Sequence, residues 1–440
     1  MVQHKPVTNL DVPEYAVPDA NRIPVSDYPA QMKTIPPSRM FTIKTALKTY
    51  KAKAGEDAVA YDASQGDGGA SLQGVPKYLL ERAFELQIDH GTGYDKPYGT
   101  DLFRQVTAEQ YWKLAPETGW GPENIIFAQG GRDALAKAFR AMTVLGHGRV
   151  GDLMVVSRVP WISYNWSPYS VGLNVLRAPG QPDDGWRYTP EGIQACVELA
   201  ERDGRKIAGI VITSPDNPTG RTMPVDEQIM LARVALEAGI PFVLFDWIYH
   251  YITDDGQPND INQVLAAFSP EERDRLMFLD GLTKSLGASN IRSAHLVASK
   301  DVVKHINSNA SHGVIPSFYA QAVAIAAYEK DFATAAKETI VPCAESRAVL
   351  RPALEAEDMN FIMGDGYYAF IDMTRYVEAG GYEDTAALGQ YLAEEHGIAI
   401  VPGVYFSQAG ANWVRFSYAQ PPERTQAAID RMFEGLKSLL

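Results

Sequence analysis

From about Gly99 to Ala298 the chain alternates between two textures. Short unbroken apolar runs predict buried strands at Ile125–Ala128, Leu153–Ser157, Leu173–Leu176, Ile207–Thr213, Phe242–Phe245, Leu276–Leu279 and Ala294–Ala298. Stretches in which apolar residues recur every three or four positions predict amphipathic helices at Arg132–Thr143, Pro190–Arg202 and Asp226–Ala238. Strands that are apolar throughout are buried on both faces, and helices inserted between them make the crossovers that a parallel sheet requires. The fold class is therefore α/β with a mostly parallel central sheet. Upstream, Phe41–Ala52 and Tyr78–Gln87 read as helices. Between them a strand at Ala58–Tyr61 leads into Gln65-Gly66-Asp67-Gly68-Gly69, where backbone can approach a ligand closely. From about Phe318 the pattern changes to long helices (Tyr319–Tyr328, Thr334–Ala356), a strand at Tyr367–Ile371, a helix at Thr385–His396, a strand at Trp413–Tyr418 and a last helix at Pro422–Leu439. This predicts a second, smaller α+β domain.

A chain of 440 residues is long enough for two domains and a large core. Its formal charge of -14 argues against tracking a nucleic-acid backbone, which needs a basic footprint. The two cysteines, Cys196 and Cys343, form neither a metal spacing nor an evident pair, which suits a reducing cytoplasm. No stretch approaches the roughly 18 apolar residues of a membrane span, and the start of the chain lacks a signal-peptide core, so neither membrane insertion nor export is expected. Residues 1–40 are rich in proline and read equally as an extended arm or a disordered tail.

The chemistry concentrates after the apolar runs. Lys284, in Gly281-Leu282-Thr283-Lys284-Ser285-Leu286-Gly287, follows a buried strand, an odd place for a solvated charge. Desolvation eases the loss of its proton and suits it to attack an aldehyde, although a lone loop lysine is the commoner case. It is accompanied by Ser214-Pro215-Asp216-Asn217-Pro218-Thr219-Gly220, by Asp246-Trp247-Ile248-Tyr249 and by Arg292, eight residues further on. Gln129-Gly130-Gly131-Arg132 follows a strand and opens a helix, which makes an anion site from free N–H groups and the helix dipole. Arg415 lies inside an apolar run, and an arginine fork suits a carboxylate better than a lysine does.

In this order and spacing the motifs resemble the class I/II aminotransferases, the aspartate-aminotransferase-like branch of fold type I pyridoxal 5'-phosphate (PLP) enzymes, from about Tyr94 to Arg415. The resemblance implies that Lys284 forms a Schiff base with PLP and that Asp246 pairs with the pyridine nitrogen. Tyr249 and Asn217 would hydrogen-bond the ring oxygen, Trp161 would stack on the ring, and Tyr164 would sit behind it. Gly130, Gly131, Arg132 and Arg292 would hold the phosphate. Tyr94 matches a tyrosine that crosses to the neighbouring subunit, implying a homodimer with shared sites. Arg415, with Asn217 and Gly66, would bind the substrate. The domains implied are an arm (1–40), the N-terminal part of the small domain (41–74), the large PLP-binding domain (75–320) and the C-terminal small domain (321–440).

Two departures stand out. Gly281 occupies a position where many relatives carry serine, and Ala294 one where they usually carry glycine, with His295 beside it. No arginine occurs between Arg292 and Arg347, so the expected substrate is an α-amino acid without a distal carboxylate, exchanging its amine with a keto acid. Asp67, Tyr405 and Phe406 are candidates for the side-chain end of the pocket. The competing readings are a non-transaminating PLP enzyme of lyase, cyclase or oxidase type, to which the two departures point, and a non-catalytic PLP sensor. Fold alone does not choose among them.

Overall fold

The computed structural model describes Ile35, Arg39, residues 42–254 and residues 256–440. The expected arm at 1–40 otherwise lies outside the described residues. Thirteen strands are present among them. In chain order they are β1 (Tyr61–Asp62), β2 (Ile125–Ala128), β3 (Leu153–Val156), β4 (Asn174–Arg177), β5 (Ile207–Thr213), β6 (Val243–Asp246), β7 (Leu276–Gly281), β8 (Ala294–Ala298), β9 (Phe361–Met363), β10 (Tyr368–Asp372), β11 (Ile398–Ala399), β12 (Val401–Pro402) and β13 (Trp413–Ser417).

Seven of them form one sheet in the order β2-β8-β7-β6-β5-β3-β4. All neighbours run parallel except β8, which is antiparallel to both β2 and β7. Each face carries its own apolar core. Val243, Phe245, Leu276 and Phe278 point to one, and Leu244, Met277 and Leu279 to the other. This two-residue alternation explains why the strands read as unbroken apolar runs. It also sends Asp246, in register with Leu279, to the second face, and Asp280 to the first.

A four-stranded antiparallel sheet, β12-β13-β10-β9, has a separate core built from Ala63 and residues between Leu350 and Leu436. The expected strand at Ala58–Tyr61 contracts to Tyr61–Asp62, because only those two residues find partners, in β11. The helix expected over Thr334–Ala356 is two helices, Phe332–Ala335 and Lys337–Ala356. Asp331 caps the first by accepting from the Thr334 N–H. No helix among the described residues is long and apolar enough to cross a membrane.

Candidate active site

The site is built at the carboxyl ends of the parallel strands, where open α/β sheets hold their ligands. A cavity of about 470 Å³ is lined by Gly66, Arg132, Trp161, Asn217, Lys284 and Arg415 from the residues singled out above. Gln65, from the glycine-rich stretch, lines it as well, as do Lys44, Ser64, Trp166 and Tyr368, which sequence reasoning missed.

Lys284 lies in the short helix Leu282–Ser285 that follows β7. Its Nζ donates to the Gly66 carbonyl and sits 5.6 Å from the Tyr249 ring centroid and 5.8 Å from that of Tyr367. Burial lowers its pKa below the usual lysine value, favouring the neutral amine that bond formation and proton transfer require. The Tyr367 hydroxyl donates to the Lys284 carbonyl at 2.6 Å and so fixes the turn itself.

Asp246 ends β6 and is almost fully buried. Its Oδ2 accepts from the Tyr164 hydroxyl at 2.6 Å and its Oδ1 from the Ile248 N–H at 3.2 Å. Burial pushes this carboxyl up to about 6, against the pull of the Tyr164 hydrogen bond. No lysine or arginine among the described residues comes within ion-pair distance of it. Tyr249, three residues on, shares a 3.1 Å hydroxyl contact with Tyr368, and burial raises its pKa well above the ordinary phenol value.

Arg415, on β13, is 2% exposed. Its Nη1 donates to Asn217 Oδ1 at 2.8 Å and its Nη2 to the Ser64 carbonyl at 2.9 Å. The guanidinium lies 4.2 Å from the Tyr368 ring centroid. No carboxylate among the described residues meets it, and its Nε is a buried donor without a partner. A buried cation that lacks an anion is costly unless a ligand supplies one.

Gly130 has φ 87°, and a Cβ there would lie 2.6 Å from Arg292 Cζ, so glycine is needed both for the turn and for the approach of that guanidinium. Arg292 itself holds φ 61° and donates to the Ser289 carbonyl at 2.7 Å and the Gln129 carbonyl at 3.3 Å. Neither it nor Arg132 pairs with a carboxylate among the described residues. The Arg132 pKa is lowered, by burial first and by the neighbouring positive charge of Arg292 second. Gly131 begins a helix that runs to Leu145 and leaves its first N–H groups free for an anion.

Trp161 is partly buried and meets Tyr164 edge to face at 5.4 Å. Tyr94 is not brought to the cavity, and its side chain is 96% exposed. Asp67 caps the helix Gly68–Ser71 and accepts from Ser289 at 2.6 Å, and its charge acts on Lys284 against the effect of burial. His295 is fully buried and accepts from Trp112 Nε1 at 2.7 Å, and burial depresses its pKa to about 4.

The two departures turn out to be one feature. Gly281 and Ala294 face each other across β7 and β8, and a Cβ on Gly281 would fall 2.7 Å from the Ala294 Cβ. The Ala294 Cα and the Ser293 carbonyl would lie at 2.6 Å from the same Cβ, so backbone and methyl group together close the space at 281.

PLP fits this set of groups. A pair of guanidiniums without a carboxylate partner at a helix N-terminus suits its phosphate, a buried carboxylate without a cation suits a protonated ring nitrogen, and a buried lysine whose pKa burial lowers suits its aldehyde. The buried Nε of Arg415 is not used by that set.

Residues 65–432 match the sequence profile described as "Aminotransferase class I and II". Aspartate aminotransferase of Bacillus subtilis is 25% identical over 406 residues, covering 91% of this chain and 97% of the relative. Aspartate/prephenate aminotransferase of Thermus thermophilus is 26% identical over 383 residues, covering 86% and 90%. Among solved structures, Thermus thermophilus aspartate aminotransferase with maleate has a TM-score of 0.75 at 23% identity, over 91% of this chain and 97% of that one. An aminotransferase from Mycobacterium tuberculosis has a TM-score of 0.77 at 20% identity, over 94% and 100%. The chain belongs to the class I and II aminotransferases and is a PLP-dependent enzyme of that family.

Proposed function

We propose that this aminotransferase takes an α-amino acid whose carboxylate is held by Arg415. The observation that carries the reading is the buried, carboxylate-free guanidinium with its unpartnered Nε, in one cavity with Lys284. When bound, PLP supplies an electrophilic carbon for the substrate amine and a ring that takes up the electron pair released at Cα. The protein does the rest. Lys284 attaches the cofactor and, once displaced, its Nζ takes the Cα proton, a task helped by its lowered pKa. Asp246 offers a buried negative charge to the ring nitrogen, and Tyr164 holds that carboxylate in one orientation. With PLP bound, Tyr249 and Asn217 would hydrogen-bond the ring oxygen, Trp161 would stack on the ring, and Gly130, Gly131, Arg132 and Arg292 would hold the phosphate. Arg415 and Asn217, with the Gly66 turn, would hold the substrate carboxylate in the same cavity as Lys284.

For the substrate side chain, the absence of arginine between 293 and 346 favours a donor without a distal carboxylate. The cavity supports a second reading. Arg132 lines it without a carboxylate partner, and Lys44 lines it too, although Asp62 at 3.6 Å and Gln65 at 3.1 Å already engage that lysine. The relatives' names likewise include aspartate. Steady-state comparison of aspartate with neutral, aromatic and basic amino acids, following the cofactor spectrum, decides between the two. Formation of the amine form of the cofactor in a single turnover tests transamination itself. If none forms, the lyase, cyclase or oxidase reading takes its place.

The molecule is proposed to work as a homodimer with shared sites. Tyr94 is fully presented to solvent, and Phe84 and Ile88 on the helix Lys77–His90 are exposed apolar side chains that a second copy would cover. A two-domain division is proposed with it. Ala63 packs in the core of the C-terminal sheet, which supports joining 41–74 to 321–440. The helix Phe318–Tyr328 packs in the large core, so packing favours a boundary closer to Lys337 than to residue 320. A cytoplasmic location is proposed on two buried, free cysteines.

A further inference from the structure

Behind the cavity, on the opposite face of the sheet from Asp246, lies a buried polar cluster that the reaction as described does not use. Asp280 occupies β7 one residue before Gly281 and is 0% exposed. Its Oδ1 accepts from the Gly281 N–H at 2.6 Å. Its Oδ2 accepts from the Tyr111 hydroxyl and from His250 Nε2, the latter at 2.7 Å. His250 is 2% exposed and comes directly after Tyr249, four residues beyond Asp246. Its ring lies 5.2 Å from the Trp112 ring and 5.7 Å from the Trp247 ring, tilted 24° to each. Tyr251 closes another side at 4.8 Å. The remaining ionisable neighbours are His295, in register with Asp280 on β8, and Tyr328, 4.2 Å from the Tyr111 ring.

A carboxylate walled in by indoles and phenols is expensive to bury, and it persists only where its donors are fixed. Here one side-chain donor, His250, belongs to the loop after β6, the other, Tyr111, to the helical turn Thr107–Tyr111, and the acceptor to the end of β7. The loop follows Asp246 and carries Tyr249, and β7 leads into the turn of Lys284. Their relative placement is what proton transfer at Lys284 depends on. We infer that His250 and Asp280 are positioning residues of the reaction: their buried pair ties the loop that follows Asp246 and bears Tyr249 to the end of β7, from which the turn bearing Lys284 starts. Arg415 and Asn217, which meet the substrate carboxylate, hang from β13 and from the 214–220 loop and do not depend on this tie. The pair should therefore govern the chemical step and leave substrate capture alone.

The inference rests on the assignment of Lys284, which mass spectrometry of borohydride-reduced, PLP-loaded wild-type protein tests separately. For the pair, the PLP-loaded variants His250→Phe and His250→Gln are compared with wild type. Phenylalanine fills the space but cannot donate, whereas the glutamine amide can reach where Nε2 stood. His250→Phe should lower kcat on the order of 10²-fold with KM for the amino donor nearly unchanged, and His250→Gln should recover most of that loss. Independently of turnover, the visible band that appears when PLP is added to the apo-protein should form more slowly in His250→Phe than in His250→Gln. An unchanged kcat in folded His250→Phe overturns the inference, as does a rise in KM matching the fall in kcat, or a glutamine variant no better than phenylalanine. If His250→Phe fails to fold, Asp280→Asn keeps the volume, loses the charge and should show the same split. Wild-type kcat in that variant overturns the inference equally.

Discussion

Asp246 and Arg415 are opposite solutions to one problem, a buried charge held without a protein counter-ion. For Asp246 the cost appears as a carboxyl held up at about 6, above its ordinary 3.8. The folded apo-protein then keeps a proton that the unfolded chain has already released. Stability from this group is complete below the ordinary value and falls as pH rises towards about 6. Cofactor-free Asp246→Asn should therefore melt at a higher temperature than wild type at pH 7, and the difference should shrink towards pH 4.5. Melts at the two pH values check this. With PLP loaded the same variant should lose on the order of 10² or more in rate, because an amide cannot hold a cationic ring nitrogen. For Arg415 the fork matters as well as the charge. Arg415→Lys keeps the cation but loses the paired donors to Asn217 and Ser64, so amino-acid kcat/KM should fall sharply while turnover of a simple amine, if measurable, changes little. An equal fall for both substrates would place the substrate carboxylate elsewhere.

At the scale of elements, the sheet explains what was legible in the sequence and what was not. Gly281→Ser should destabilise the protein by about 1–3 kcal/mol, because the new Cβ meets the Ala294 Cα and the Ser293 carbonyl across the ladder as well as the Ala294 methyl, and adding Ala294→Gly should recover only a part of that loss. Denaturant melts of the two singles and the double give the coupling. Read along the chain, those two positions look like separate losses of family character, and only the β7–β8 register joins them. Runs such as Ile207–Thr213 were legible because burial on both faces leaves no polar position to blur them. Ala58–Tyr61 was misjudged because β-propensity does not reveal whether a strand has a partner, and only Tyr61 and Asp62 have one. In the site, Lys284, Asp246 and Asn217 stood out by motif. Tyr368 and Ser64 did not, since a tyrosine beneath a guanidinium and a carbonyl that caps one become visible only when β10 and the Ser64 turn are folded against β13. The aromatic pair Tyr367-Tyr368 after Gly364-Asp365-Gly366 was the one weak local sign.

For the whole molecule, the exposed Tyr94 is the test of assembly. Mixed dimers of Lys284→Ala and Tyr94→Phe chains should recover part of the activity that each homodimer lacks, provided the tyrosine variant is sufficiently impaired. A monomer at working concentration, by sedimentation, would contradict a shared site. The cavity also gathers its parts from distant stretches of chain, the partners Asn217 and Arg415 being 198 positions apart. The empty donor on Arg415 reaches beyond the enzyme to the bench. Acetate, citrate and similar preparations carry the functional group that this guanidinium lacks, so they should compete with substrate while making the protein harder to melt. Activities recorded in such solutions will understate the enzyme, and a change to a medium free of carboxylates and primary amines should raise apparent affinity for the donor without altering the maximal rate.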